Sequence, residues 1–294
     1  MSKQNQSLSK KLKQERRRQF VHSFFSRWPV RIGFVIIVLI VLSALLAPVI
    51  CPDDPYTNNL ANYLQAPSAA HWFGTDALGR DVLTRCIYGG RISLLVGVVA
   101  TGIAAVLGVA LGLLAGYLGK LVDAVLMRVL DAMMCVPVII LALFLGNVLG
   151  KGVFNIMLCL GICMAPGYAR MTRGQVLSVK QLDYVTAGTL SGATRLKNAL
   201  KHVLPNCMAP NIVMMTMNLG AAILTEASLS FLGMGITPPT PSWGAMVSDG
   251  FKYIRQMPSL AIIPGIFIVV TVWSFNICGD ALRDALDPKL RGTL

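Results

Sequence analysis

The sequence predicts an all-α, polytopic membrane protein with six transmembrane helices, on three observations. The 294 residues are 55% hydrophobic and only 13% charged, with a mean hydropathy of +0.65, well outside the range of ordinary soluble domains. Six apolar segments, at about 32–51, 93–116, 129–149, 152–169, 210–232 and 259–279, approach or exceed the roughly 20 residues that cross about 30 Å of hydrocarbon. Each is read as a helix, because a lone segment in lipid can satisfy its backbone only that way. The basic residues are also lopsided. With the N-terminus inside, twenty Lys and Arg fall in inside segments and six in outside ones, which places both termini in the cytosol.

Residues 1–31 are a basic cytosolic tail carrying Lys10-Lys-Leu-Lys-Gln-Glu-Arg-Arg-Arg18. Juxtamembrane cations of this kind anchor the first span and attract the lipid bilayer's anionic headgroups, by about 1 kcal/mol per residue near the surface. The net charge of +13 therefore needs no nucleic acid, for which an aromatic-interleaved platform is missing. The first span is longer than a signal-peptide core, and the small residues Ala44 to Ala47 are followed by Pro48, so no cleavage is expected there.

An external segment follows at 52–92. It contains His71-Trp-Phe-Gly-Thr-Asp-Ala-Leu-Gly-Arg-Asp81, whose Gly and Asp suit turns, and then Val82, Leu83, Ile87 and Leu94, which read as an interfacial helix leading into span two. Span two carries Ala100, Ala104, Gly108, Gly112 and Gly116 on one stripe, spacing that lets another helix come close. That stripe either packs helices within the chain or serves as a sliding surface. Span three holds Pro137, span four Pro166 and span six Pro264, each expected to kink its helix.

A polar basic interval runs from Arg170 to Pro205, within a cytosolic loop at 170–209. Span five carries Asn218, Thr225 and Glu226. A carboxylate in a membrane is costly unless it faces a polar cavity, an interface or a partner. Asn218 and Glu226 are accordingly the candidate substrate-path groups, with a structural role for Glu226 weighed beside it. The external loop 233–258 and a cytosolic tail at 280–294 flank span six, so that 32–279 is the transmembrane domain. Seven cysteines are scattered without paired spacing, and no zinc site, disulfide framework or other metal site is expected. Cys159 and Cys163 share a helix face and read as small packing residues.

Four stretches carry a family resemblance. Tyr184-Val-Thr-Ala-Gly-Thr-Leu-Ser-Gly192, with Leu204-Pro205 twelve residues later, resembles the EAA loop of bacterial ABC-importer permeases. Thr186 stands where that family has Glu, and Gly188 where it has the second Ala. Gly74-Thr75-Asp76 and Gly79-Arg80-Asp81 closely resemble the external signature of dipeptide, oligopeptide and nickel permease subunits. Glu226-Ala-Ser-Leu-Ser-Phe-Leu-Gly233 and Pro239-Thr-Pro-Ser-Trp-Gly244 resemble the end of that group's fifth span and the loop after it. Gly279 to Arg291 is similar to its cytosolic tail.

The resemblance implies a type I ABC-importer permease fold and import of small peptides, with nickel, metal chelates or glutathione as alternatives. It implies a homologous second permease subunit, two cytosolic ABC ATPases and an external substrate-binding protein, in a bacterial cytoplasmic membrane. Tyr184, Thr186, Ala187, Gly188 and Gly192 are expected to form the ATPase-docking surface. Gly192 permits the turn, and Leu204-Pro205 is expected to end the loop and keep the next helix separate. No catalytic residue is expected. The chain has no Gly-x-x-x-x-Gly-Lys-Ser/Thr loop, so it binds no cofactor, and ATP and Mg belong to the ATPase partners. A gradient-driven secondary transporter is the remoter reading, since it would want more buried ionisable groups. A membrane enzyme is disfavoured because His22, His71 and His202 lie in the tail, the external loop and the cytosolic loop and do not converge on a metal.

Overall fold

A computed structural model describes residues 14–15 and 18–286. The last part of the C-terminal tail motif, from Asp287 to Arg291, and most of the basic N-terminal cluster lie outside the described residues. Residues 18–24 are helical, so part of the N-terminal tail is ordered ahead of the first span.

Helix α1 (Trp28–Leu45) opens with Pro29, whose fixed φ and missing N–H suit a first turn. It buries little beyond Val30, Gly33 and Ala44 and leaves Val35, Leu39 and Leu45 exposed, as a lipid-facing helix does. A short helix, α2 (Ala47–Ile50), ends at Cys51. The expected interfacial helix and span two are one element, α3 (Val82–Leu118), capped by the Asp81 side chain accepting from Thr84 N–H at 2.7 Å. Its 37 residues extend about 55 Å, well beyond the roughly 30 Å of hydrocarbon that a span must cross.

Span three differs from expectation. It is a broken pair, α4 (Lys120–Met134) and α5 (Val138–Leu149), bent by 98°. Pro137 lies at the break as the cap of α5. It lacks an N–H and disfavours helical geometry in the residue before it, so the helix stops rather than merely kinking. Arg128 and Asp131 are therefore on α4, away from the apolar α5. Among the described residues, five helices are long and apolar enough to cross a membrane, and the bent pair makes a sixth crossing if counted as one span. In α6 (Val153–Val179) and α11 (Ser259–Leu286) the internal prolines Pro166 and Pro264 are absorbed without a break.

After α6 the chain forms α7 (Asp183–Leu190) and α8 (Arg195–Asn198), a π turn at Ala199–Val203, and α9 (Leu204–Phe231). Helix α10 (Trp243–Phe251) is capped by Ser242 and precedes α11.

The small-residue stripe of α3 packs on α6. A Cβ on Gly108 would stand 2.4 Å from Tyr168 Cβ and 2.5 Å from the Ala165 carbonyl oxygen; one on Gly116 would stand 2.7 Å from Val176 Cγ1. The stripe is thus occupied within the chain, which favours packing over sliding. At the ends of these helices Lys180 Nζ donates to Gly116 O at 2.8 Å, and Arg173 holds Asp123 of α4 through two nitrogens. Between α6 and α9, Thr172 Oγ1 donates to Asn211 Oδ1 at 3.1 Å. Arg27 pairs with Asp284 at 3.2 Å, so the start of α1 and the end of α11 share one side of the bundle. The α7–α8 hairpin shares that side, because α9 runs antiparallel to α11, with Gly279 of α11 against Met217 and Gly220 of α9 against Val272, so the start of α9 lies where α11 ends.

Candidate functional site

Helix α7 ends where the chain needs a left-handed residue. Gly192 takes φ +81°, and Ala193 N–H donates back to Gly188 O at 3.2 Å, the six-to-one bond of a Schellman cap. Thr194 then caps α8 by accepting from Lys197 N–H. The hairpin is closed from inside by Asn198, 1% exposed, whose Nδ2 donates to Val185 O at 3.0 Å. Val185 packs with Val176, Val179, Val203 and Cys207, which ties the hairpin to the ends of α6 and α9.

The outer side of the hairpin exposes several large apolar side chains among charged ones such as Asp183, Arg195 and Lys197. Leu190 is 84% exposed and Leu196 69%, with Leu182, Tyr184 and Leu200 exposed beside them. Of the residues expected there, Tyr184, Thr186, Ala187 and Gly192 are exposed.

Two expectations need correction. Gly188 lies on the inner seam, where a Cβ would be 3.0 Å from Asn198 Oδ1, so it serves close packing of α7 on α8. Leu204 and Pro205 do not separate two helices. They stand in the first turn of α9 directly after the π turn at Ala199–Val203, a local widening that accommodates a residue without an N–H and carries the helical path on from α8. One helical stretch therefore runs Arg195–Phe231, and the break lies at Gly192. Asn198, Val185 and the exposed leucines were missed at the sequence level. The recurrence of Leu182, Leu190, Leu196 and Leu200 in an otherwise polar interval was the available signal.

On the opposite side, the segment before α3 is a knot built on its signature residues. Asp76 Oδ1 accepts from the N–H groups of Leu78 (2.8 Å) and Arg80 (3.0 Å). Its Oδ2 takes Arg80 Nε and Nη2, both at 2.8 Å, and Arg85 Nε at 3.4 Å. Arg85 Nη1 reaches back thirty residues to Pro55 O at 2.9 Å. Thr75 Oγ1 donates to Asn62 O and accepts from Gln65 N–H. Asp81, besides capping α3, meets His71 Nδ1 at 3.0 Å. Gly79 is at φ +72°, with Asn59 O at 1.7 Å from any added Cβ, and Gly74 at φ +77°, with Gln65 O at 2.5 Å. The six signature residues thus shape and fasten the loop. An open cleft of about 270 Å³ lies between this knot and α10, lined among others by Asp76, Arg80, Arg85, Asp249, Lys252 and Tyr253.

The two candidate path residues are not brought together. Asn218 is half-buried on α9. Glu226, two turns further on, is 0% exposed; its Oε1 accepts from Ser230 Oγ at 2.7 Å and Ser242 Oγ at 3.2 Å. It is enclosed within the subunit, the geometry of the structural role weighed for it, and not exposed to a cavity of this chain.

Comparison with known proteins agrees with this architecture. Residues 108–292 match the model of the binding-protein-dependent transport system inner membrane component, and residues 16–67 match that of the N-terminal TM domain of oligopeptide transport permease C. The chain is 43% identical over 260 residues to the oligopeptide transport system permease protein OppC of Bacillus subtilis, covering 88% of this chain and 85% of that protein. It is 40% identical over 260 residues to the dipeptide transport system permease protein DppC of Alkalihalophilus pseudofirmus, covering 88% and 86%. Among solved structures, a chain of the inward-facing MetNI methionine ABC transporter superposes with a TM-score of 0.57 at 18% identity, over 70% of this chain and 98% of that one.

Proposed function

The chain belongs to the binding-protein-dependent transport system inner membrane component family, and from that premise we propose that it is the permease subunit of an ATP-driven importer of small peptides. The names of its relatives at about 40% identity support peptides as the cargo. The observation that carries the mechanism is the α7–α8 hairpin, which exposes Leu182, Tyr184, Leu190 and Leu196 outside and is pinned inside by Asn198. It lies on the side of the bundle where α1 begins and α11 ends, and the excess of Lys and Arg in the segments assigned to that side supports a cytosolic location.

On this reading a cytosolic ATPase grips Leu182, Tyr184, Leu190 and Leu196, and two such ATPases bind and hydrolyse ATP with Mg. This chain contributes no nucleotide site. A homologous second permease completes the path, and an external binding protein delivers the peptide to the side of the signature knot. Each nucleotide state favours one packing of the helices through differential contacts at the hairpin. The test is reconstitution in liposomes with its partner ATPase, second-permease and binding-protein subunits. Peptide uptake that requires ATP and the loaded binding protein is expected. Uptake by the chain without ATPases, or delivery of nickel or glutathione in place of peptide, overturns the respective part.

A further inference from the structure

The helical stretch Arg195–Phe231 joins the hairpin to the far side of the bundle. At its inner end Asn198 fastens it to α7. At its outer end it meets the amino terminus of α10 through one buried group. Glu226 Oε1 accepts from Ser242 Oγ at 3.2 Å, and the same Ser242 Oγ caps α10 by accepting from Ala245 N–H at 3.2 Å. Beside this tie the backbones touch: a Cβ on Gly244 would stand 2.4 Å from Ala227 Cα. Ser230, one turn after Glu226, gives the same Oε1 a second hydroxyl at 2.7 Å and accepts from Ile236 N–H at 3.3 Å, which secures the connecting loop as well.

Helix α10 has a second mount on a different body. Trp243 Nε1 donates to Cys86 O at 2.8 Å, and Trp243 N–H to Ser93 Oγ at 3.2 Å, both on α3. Helix α3 is locked to α6 along its glycine stripe. Thus α10 is fastened to the α9 stretch that carries the hairpin, to α3, which carries the signature knot, and to α11, where a Cβ on Gly250 would stand 2.5 Å from Leu260 O.

We propose that Glu226 is the positioning residue that makes α10 travel with α9, so that displacement of the hairpin reaches the outer surface at α10 and the cleft beside it. The proposal rests on the hairpin's role as the ATPase contact. A carboxylate suits the task because one oxygen accepts two hydroxyls on separate segments, and a leucine of similar size fills the space while accepting neither.

The test uses the full importer complex in liposomes. Glu226→Leu is expected to retain assembly and basal ATP hydrolysis and to lose about tenfold or more of the hydrolysis and uptake stimulated by loaded binding protein, the scale of a site-to-site coupling. Glu226→Gln, which keeps an acceptor oxygen, is expected to restore both. Spin labels at Leu60 and Lys252, with Cys135 replaced by serine, report the spacing of knot and α10. It should change on ATP binding in the parent and not in Glu226→Leu. Should Glu226→Leu fail to assemble, Ser242→Ala removes the same tie at lower steric cost and is expected to show the same loss of stimulation.

Parent-level stimulation and an ATP-dependent spacing change in an assembled tie-less variant overturn the proposal. The hairpin variant Asn198→Leu separates this from failure of the underlying reading. If it alone is defective, the hairpin transmits force by another route. If it too transports like the parent, the hairpin is not the ATPase contact.

Discussion

A Cβ placed on Gly112 would stand 2.4 Å from the carbonyl oxygen of Ala169, so α3 and α6 meet backbone to backbone at this point. Lipid supplies no hydrophobic drive between spans, and the pair is held by this closeness and by dispersion over its length. A larger side chain therefore acts against the strongest contact in the bundle.

Gly112→Leu is expected to destabilise the folded subunit by about 1–3 kcal/mol or more, the cost of overpacking. Gly102, on the same helix with nothing within 4 Å of an added Cβ, is the control. Gly102→Ala should leave stability unchanged or raise it by about 0.5–1 kcal/mol. Thermal unfolding of the purified protein in detergent compares the two.

The signature knot predicts a contrast between two charge removals. Asp76→Asn strips the carboxylate shared by Arg80 and Arg85, both buried, and is expected to cost about 3 kcal/mol because two guanidiniums lose their counter-charge. Lys252→Ala breaks an exposed pair with Asp249 and is expected to cost less than about 0.5 kcal/mol. Protease accessibility of the 52–81 segment reads the difference locally.

At Gly192 the backbone, and not crowding, sets the cost, since φ is +81° and no atom lies within 4 Å of an added Cβ. Gly192→Val should strain the turn by about 1–2 kcal/mol. Membrane insertion is expected to be normal and ATP-dependent uptake strongly reduced. Normal uptake counts against the hairpin geometry being needed.

Leu190→Asp with Leu196→Asp places two charges on the exposed side of the hairpin. The folded subunit has nothing to lose there, so its melting temperature should hold. Co-purification of the ATPase should fall by about tenfold or more, as expected when a contact residue is made charged and left unpaired. Retained co-purification moves the docking surface elsewhere.

The α3 stripe was legible because its spacing of four keeps one helical face, and that pattern needs no knowledge of the partner. The turn at Gly192 was legible for a similar local reason. Gly188 and Pro205 were misjudged because a small residue or a proline in sequence does not say which face it occupies or whether a helix already runs through it. Pro137 and Pro166 make the same point: alike in sequence, one ends a helix and the other is carried inside one.

By itself the sequence determined what hydropathy and charge decide, namely a helical membrane bundle, the basic side and the family signatures. Those depend on transfer free energies and local backbone preferences, which each residue carries wherever it goes. Only the tertiary structure decided that Glu226 is sealed inside the subunit, that Asn198 closes the hairpin and that Arg85 returns to Pro55. Each depends on which segments pack together, and hydrogen bonds across such distances in the chain leave no periodic trace in it.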